Sequence, residues 1–135
     1  MSEIIEELLK AARQAREHAY APYSKYKVGA AALDVSGRIW TGANVENASY
    51  PAGICAERVA IAKMASAGAH VLEMVAVVTE DGGPPCGMCL QVMLEFSPDP
   101  SRVLVVLGNA TVQIAEYKLS ELLPHGFGPK SGAAS

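Results

Sequence analysis

Apolar and polar residues follow one another along the chain in blocks that predict helices and strands in alternation. Near the N-terminus, apolar side chains recur at the spacing of one helix face, which predicts a helix over residues 3–18. Two apolar stretches, 28–33 and 39–45, flank the turn sequence Asp34-Val35-Ser36-Gly37 and predict a hairpin. The later pattern predicts, in order, a helix over 56–67, a strand over 71–79, a loop over 81–85, a helix over 86–96, strands over 102–107 and 111–117, and a helix over 119–123.

This alternation predicts an α/β fold in which helices pack against a mixed sheet of about five strands. A crossover through the helix at 56–67 is expected to make part of that sheet parallel. The length of 135 residues supports one domain, which we place at residues 1–129. The small and polar residues of 130–135 predict a disordered tail.

Composition narrows the class of partner. The net charge is −3 and lysines and arginines form no cluster, so a nucleic-acid surface is not expected and the substrate should be a small molecule. The first residues carry acids where a signal peptide carries bases, and no apolar run approaches the length of a membrane span. We therefore expect a cytoplasmic protein without membrane contact, in a reducing compartment where thiols stay free.

The three cysteines of the chain all lie in two short motifs, Cys55-Ala56-Glu57 and Pro85-Cys86-Gly87-Met88-Cys89. Three thiolates leave one corner of a tetrahedral Zn²⁺ open, which is typical of a catalytic site that holds a water. Cys86 and Cys89, at i and i+3, share one face of a first helical turn, and helix N-termini favour thiolates.

Glu57 stands two residues from a metal ligand, where it could carry a proton to and from that water without binding the metal. Residues i and i+2 point in nearly opposite directions within a regular helix. Cys55 must therefore lie at the very end of its helix if it and Glu57 are to face the same pocket.

Two other interpretations of the cysteines stay open at this point. A Cys-x-x-Cys pair can be a redox motif, although such a motif does not need the third cysteine in a Cys-x-Glu setting. A closed structural zinc site would need a histidine as fourth ligand. His18, His70 and His125 are scattered without ligand spacing, which favours surface or packing roles for them.

The two motifs together match the all-cysteine form of the zinc deaminase signature. The segment from Asn44 to Arg58 closely resembles the central motif of small cytidine deaminases. Further similar segments are Pro22-Tyr23-Ser24 with Val28-Gly29-Ala30-Ala31, Gln91-Val92 with Glu95-Phe96, and Leu122-Leu123-Pro124 with Phe127-Gly128-Pro129. The resemblance runs from about residue 5 to residue 129 and is far more specific than an isolated Cys-x-x-Cys.

The resemblance implies a three-layer α/β/α fold and one Zn²⁺ per chain, held by Cys55, Cys86 and Cys89. The implied activity is that of a hydrolase, which deaminates cytidine and deoxycytidine to uridine and deoxyuridine plus ammonia in pyrimidine salvage. Glu57 is implied as the catalytic proton carrier. A homotetramer with shared active sites is implied by the same similarity.

The resemblance also implies roles for residues around the metal. Asn44 and Glu46 are expected to bind the ribose 3′-hydroxyl, and Tyr26 to face the base where the family commonly has phenylalanine. The Ala56 N–H and the Pro84 carbonyl are expected near the 2-oxo and 4-amino groups of the base. Pro84 replaces a more usual serine, but proline retains the carbonyl.

Three residues match positions that reach a neighbouring subunit's site in the family, namely Ala48, Tyr50 and Phe127. Glycines on both sides of Phe127 leave this part of the backbone little reason to be ordered on its own surface. We therefore expect Phe127 to insert into a neighbour's pocket. Each of the aromatic residues could instead belong to its own chain's core.

The chain differs from the family in the residues that compensate the charge of the zinc site. Zn²⁺ with three thiolates carries a net charge of −1, and Arg58 is implied to donate hydrogen bonds to cysteine sulfurs. The family usually has a second arginine directly after the last cysteine, where this chain has Leu90. Zinc affinity or pH dependence is expected to differ accordingly.

Two alternative functions stay open. One is a deaminase of a related aminonucleoside such as blasticidin S, which would keep the zinc residues and lose the pair Asn44 and Glu46. The other is a zinc-binding module without catalytic activity, in which Glu57 has no role.

Overall fold

A five-stranded sheet organises the chain, and the computed structural model describes residues 2–128 of it. The elements are α1 (Ser2–Arg16), β1 (Gly29–Asp34), β2 (Ile39–Ala43), α2 (Ala56–Ser66), β3 (Leu72–Val78), α3 (Gly87–Glu95), β4 (Leu104–Gly108), β5 (Gln113–Lys118) and α4 (Leu119–Leu122). Two 3₁₀ turns span Tyr50–Ala52 and Pro100–Arg102. The predicted tail at 130–135 lies outside the described residues, and the boundary at 129 stays a prediction.

The strands follow the order β2-β1-β3-β4-β5. The predicted hairpin is present, with β1 antiparallel to β2, and β1 is also antiparallel to β3. The expected source of the parallel pairing was wrong. The helix α2 joins β2 to β3, which run in the same direction but have β1 between them, while the adjacent parallel pair is β3 and β4, joined through α3.

Side chains of the sheet point alternately to two helical layers, because successive residues of a strand face opposite sides. On one side, α1 buries Ile5, Leu8, Leu9 and Ala12 against the sheet. On the other side, α2, α3 and α4 form the larger core cluster. This arrangement confirms the α/β fold with helices on both faces of a mixed sheet.

Gly42 sets how closely α2 approaches the sheet. A Cβ atom placed at residue 42 would lie 2.6 Å from both the Ala56 carbonyl oxygen and the Ala60 nitrogen. The first turn of α2 therefore rests directly on the backbone of β2. Glycine at this position brings the start of α2, and Cys55 with it, close to the sheet.

The hairpin turn between β1 and β2 is organised by a buried carboxylate. Asp34, 1% exposed, accepts hydrogen bonds from the Ser36 N–H at 2.8 Å and the Trp40 indole N–H at 2.8 Å. It also accepts from the Ser36 hydroxyl and, at 3.3 Å, from the Arg38 N–H. Burial would raise the pKa of Asp34, but these hydrogen bonds outweigh it and lower the pKa to about 2.

One predicted strand begins later than expected. The strand predicted over 102–107 starts at Leu104, because residues 100–102 form a 3₁₀ turn. Asp99 caps this turn by accepting a hydrogen bond from the Ser101 N–H at 3.1 Å.

The strand predicted over 39–45 ends earlier than expected. β2 ends at Ala43, and Val45 contributes only isolated bridges to Tyr20 and Ile54.

Candidate active site

The three cysteines meet where α2 and α3 begin. Cys55 is the N-cap of α2, Cys86 is the N-cap of α3, and Cys89 lies in the first turn of α3. Their sulfur atoms all lie within 4.8 Å of one another, with Cys86 and Cys89 3.5 Å apart. Two Zn–S bonds of about 2.3 Å at a tetrahedral angle separate their sulfurs by about 3.8 Å. The donor set and its spacing therefore fit a zinc ion with one position open.

Hydrogen bonds and a nearby charge favour ionisation of one of these thiols, that of Cys55. A hydrogen bond from Cys89, together with the charge and hydrogen bonding of Arg58, lowers the pKa of Cys55 to about 6. The same hydrogen bond to Cys55, with burial, raises the pKa of Cys89. Cys55 is thus a stronger acid than Cys89, and metal binding must displace the proton that Cys89 holds.

Glu57 lies in the first turn of α2 and is only 4% exposed. Burial raises its pKa to about 7, and the charge of Cys55 adds to the effect. A carboxyl group that gains and loses a proton near neutral pH suits a general acid–base role. The N-cap position of Cys55 meets the geometric condition that the sequence imposes on this pair.

A cavity of about 300 Å³ opens in front of Glu57. Besides Glu57, it is lined by Ser24, Tyr26, Val28, Asn44, Glu46, Cys55, Ala56, Val77, Thr79, Pro84, Pro85 and Cys86. All five residues expected to contact the substrate from within the chain are among them. The volume is at the lower end of the range for small-molecule sites.

Asn44 and Glu46 reach this cavity but already have backbone partners. The Asn44 side chain accepts from the Val28 N–H at 2.9 Å and donates to the Tyr26 carbonyl at 2.8 Å. Glu46 accepts from the Tyr23 and Ser24 N–H groups at 3.0 and 3.1 Å, and from the Ser24 hydroxyl. Hydrogen bonds from Ser24 lower the pKa of Glu46, which keeps it a carboxylate. Both side chains thus hold the neighbouring loop in place.

The residues expected to serve a neighbouring subunit do not line this cavity. Ala48 is exposed, and the side chains of Tyr50 and Phe127 are 79% and 89% exposed. Tyr50 instead lines two neighbouring cavities, each of about 380 Å³, which share Glu46 with this one. The structure therefore does not place these side chains in their own chain's core.

The segment that carries Phe127 packs against its own chain, contrary to expectation. Gln91 of α3 donates a hydrogen bond to the Phe127 carbonyl. A Cβ atom at Gly126 would lie 2.7 Å from the Leu94 side chain, so the chain passes close to α3 at this residue. The backbone is thus fixed on α3, while the aromatic ring points away from it.

Arg58 and Leu90 differ in environment. The Arg58 guanidinium donates to the Met88 sulfur at 2.9 Å, in addition to its effect on Cys55. Leu90 is 7% exposed and belongs to the core cluster. The position at which the family usually has a second arginine is therefore a packing position in this chain.

Three polar residues of the site were missed from the sequence. Ser24 holds Glu46, and Thr79 and Asp81 organise the loop that precedes Pro84. Ser24 stood in a motif that matched the family, and Thr79-x-Asp81-Gly82-Gly83 is a turn sequence. Neither pattern by itself indicates proximity to the zinc ligands.

The fold and the site together define a zinc-binding α/β enzyme with a carboxyl group buried beside its cysteine cluster. The family model for the cytidine and deoxycytidylate deaminase zinc-binding region matches residues 2–107. The chain belongs to this family.

Relatives and solved structures agree with this assignment. The cytidine deaminase of Halalkalibacterium halodurans is 49% identical over 89% of this chain and 91% of its own length. That of Sporosarcina psychrophila is 42% identical over 91% of this chain and 90% of its own length. The crystal structure of the Burkholderia pseudomallei cytidine deaminase matches with a TM-score of 0.83 at 44% identity, over 90% of this chain and 98% of that one. Within residues 2–128, no helix is long and apolar enough to span a membrane.

Proposed function

We propose that the protein is a zinc-dependent hydrolase that deaminates cytidine and deoxycytidine to uridine and deoxyuridine, with release of ammonia, in pyrimidine salvage. The observation that carries this proposal is the position of Glu57, buried beside three clustered thiols at the base of a nucleoside-sized cavity. The relatives named cytidine deaminase support the choice of substrate. A cytoplasmic location, where the three free cysteines stay reduced, belongs to the same proposal.

Several residues of the cavity have defined tasks in the proposed reaction. Cys55, Cys86 and Cys89 would hold zinc, which would supply an activated water. Glu57 takes one proton from the attacking water and delivers it to N3 as the C4–O bond forms. It then takes the second proton from the new C4 hydroxyl and delivers it to the amine, so that the C4–N bond breaks and ammonia leaves. The Ala56 N–H and the Pro84 carbonyl orient the base through its 2-oxo and 4-amino groups, and Tyr26 lines the wall beside it.

Asn44 and Glu46 bind the ribose 3′-hydroxyl in this proposal. Because Ser24 and Tyr23 hold Glu46 as an oriented carboxylate, it accepts a hydrogen bond from a hydroxyl without first losing a proton. A site whose polar groups are arranged for a hydroxyl binds a ligand that lacks it poorly. Free cytosine should therefore be a weak substrate.

The site is completed by neighbouring subunits of a homotetramer in this proposal. Ala48, Tyr50 and Phe127 are all exposed, and the large apolar side chains of the last two support a contact surface here. Phe127 would cover the base in a neighbour's cavity and exclude water. Arg58 would balance the charge of the zinc–thiolate cluster in each subunit.

An ultraviolet assay with four substrates tests the proposed activity. Cytidine and deoxycytidine should both be converted, cytosine should be converted at least tenfold less efficiently, and blasticidin S should not be converted. Conversion of blasticidin S alone would favour the aminonucleoside alternative. No conversion of any substrate by protein with one zinc per chain would favour a zinc-binding module without catalytic activity.

Subunit mixing tests the shared site. Glu57→Gln and Phe127→Ala chains are mixed under conditions in which exchange is demonstrated by mass measurement. Some mixed cavities would then combine an intact Glu57 with a neighbour's intact Phe127, so activity should exceed the sum of the two parents. If activity stays additive after exchange, Phe127 acts only in its own chain.

A further inference from the structure

The loop of residues 22–28, here named the strap, forms one wall of the cavity. Glu46 holds it through the backbone of Tyr23 and Ser24. Asn44 holds it further along, through the Tyr26 carbonyl and the Val28 N–H. These contacts fix the strap at both ends of Tyr26, whose side chain faces the cavity.

The loop of residues 79–85 forms the opposite wall and leads into the zinc ligand Cys86. Thr79, 4% exposed, accepts from the Gly82 N–H at 2.7 Å and the Gly83 N–H at 3.1 Å. Its hydroxyl also donates to Asp81 at 3.1 Å, and Asp81 accepts from the Gly83 N–H at 3.1 Å. This network fixes the loop that presents the Pro84 carbonyl.

A side-chain hydrogen bond joins the two walls. The Tyr26 hydroxyl donates to the Asp81 carboxylate at 2.8 Å, across 55 positions of sequence. We propose that the Tyr26–Asp81 hydrogen bond is a latch that holds the strap against the loop and so sets the width of the nucleoside cavity. Asp81 is then a positioning residue, acting on the substrate through Tyr26 and the loop. The inference rests on the proposed function for its effect on substrate binding.

The geometry distinguishes a latch from simple packing. A phenylalanine at position 26 would line the cavity equally well but could not reach Asp81 through a hydrogen bond. The ring of Tyr26 is 37% exposed, so burial alone does not hold it in place. Because Asp81 is already oriented by Thr79 and Gly83, its carboxylate offers the hydroxyl a prepared acceptor.

Steady-state kinetics on the zinc-loaded enzyme provide the first test. Tyr26→Phe and Asp81→Ala should each raise KM for cytidine about three- to tenfold, the range for losing one hydrogen bond to an exposed carboxylate, and should leave kcat within about twofold. The double variant should be no worse than the more affected single variant, because both changes remove the same contact. Asp81→Asn should fall between wild type and Asp81→Ala, since its amide oxygen still accepts.

Two matched controls separate the latch from general surface effects. Tyr117 on β5 is exposed to a similar degree, at 39%, and Asp99 caps a turn as Asp81 does but beside the 3₁₀ turn at 100–102. Tyr117→Phe and Asp99→Ala should leave KM unchanged.

Hydrogen exchange without substrate tests the latch independently of the proposed activity. In Tyr26→Phe and in Asp81→Ala, the amides of Tyr26 and Val28 should exchange several-fold faster than in wild type, with zinc content unchanged. Normal exchange, a KM within twofold of wild type in both single variants, or independent effects in the double variant would each overturn the latch. Faster exchange in a protein that converts no nucleoside would uphold the latch while refuting the proposed function.

Discussion

Two buried carboxylates in different regions of the molecule have opposite proton affinities. Asp34 in the hairpin turn is 1% exposed and its pKa is lowered to about 2, whereas Glu57 beside the cysteines is 4% exposed and its pKa is raised to about 7. Burial raises the pKa of both carboxyl groups. The difference comes from the hydrogen bonds that Asp34 receives from Ser36, Arg38 and Trp40.

The contrast separates a carboxylate that supports the fold from one that is free to do chemistry. The hydrogen bonds that Asp34 accepts stabilise its ionised form in the hairpin turn. Asp34 therefore holds no proton that it could exchange near neutral pH. At Glu57, hydrogen bonds and the charge of Arg58 offset the effect of burial on the pKa only in part, so its protonation changes in the range where a proton carrier is useful. Low exposure alone would not have told the two apart.

The largest effect is expected from Glu57→Gln. The amide keeps nearly the same shape but cannot accept the proton of the attacking water, so kcat for cytidine should fall by about 10²- to 10⁴-fold. Zinc content and the free energy of unfolding at neutral pH should not decrease. Metal analysis and kinetics on the purified variant provide the measurement.

Cys89→Ala is the control for that experiment, since it should lose both zinc and activity. If Glu57→Gln lost less than about tenfold in kcat, corresponding to about 1.4 kcal/mol of barrier, the proton carrier would be another group.

A smaller effect, on stability and not on catalysis, is expected from Asp34→Asn. One carboxylate oxygen becomes an NH₂ group that cannot accept from Trp40 or Ser36, so the free energy of unfolding at pH 7 should fall by about 2 kcal/mol. Urea unfolding measures this change, and kcat and KM of the folded variant should match wild type. Trp40→Phe, which removes one donor, should show part of the loss. A changed KM in Asp34→Asn would mean that the hairpin reaches the cavity.

The smallest and most specific effect is expected in the pH dependence of the stability difference between wild type and Asp34→Asn. The pKa of Asp34 is about 2 in the folded protein against an ordinary 3.8, so its stabilising contribution is present above about pH 4 and is lost as the pH falls towards 2. The stability gap between wild type and Asp34→Asn should therefore shrink over this range. A gap that stays constant down to pH 2 would show that Asp34 is not held as a carboxylate by its donors.

Residue types and spacing were enough to predict the cysteine cluster. Cys86 and Cys89 share a helical turn by their i, i+3 spacing, and Cys55 had to lie at a helix end for Glu57 to face the same pocket. The structure brings all three together as this reasoning requires. Periodicity likewise predicted every strand of the sheet, although β1 to β4 have apolar faces that contact a helical layer while β5 is exposed along most of its length.

Contacts between distant segments could not be predicted in the same way. Tyr26 and Asp81 are 55 positions apart, and only the pairing of β1 with β3 brings their loops to the same end of the sheet. The strand predicted over 102–107 began two residues before the start of β4 at Leu104. The apolar pattern alone does not show that Asp99 caps the 3₁₀ turn at residues 100–102. The docking of Gly126 on α3 also depends on Leu94, a contact that only tertiary structure creates.

The close contact between Gly42 and α2 has a consequence for how the protein tolerates mutation. Any side chain at residue 42 would have to push the helix away from β2, and the helix start carries both Cys55 and Glu57. Gly42, which has no side chain, is thus as necessary to the metal centre as the cysteine ligands. Surveys of inactivating substitutions should consequently recover Gly42 alongside the three cysteines, although it contacts neither metal nor nucleoside.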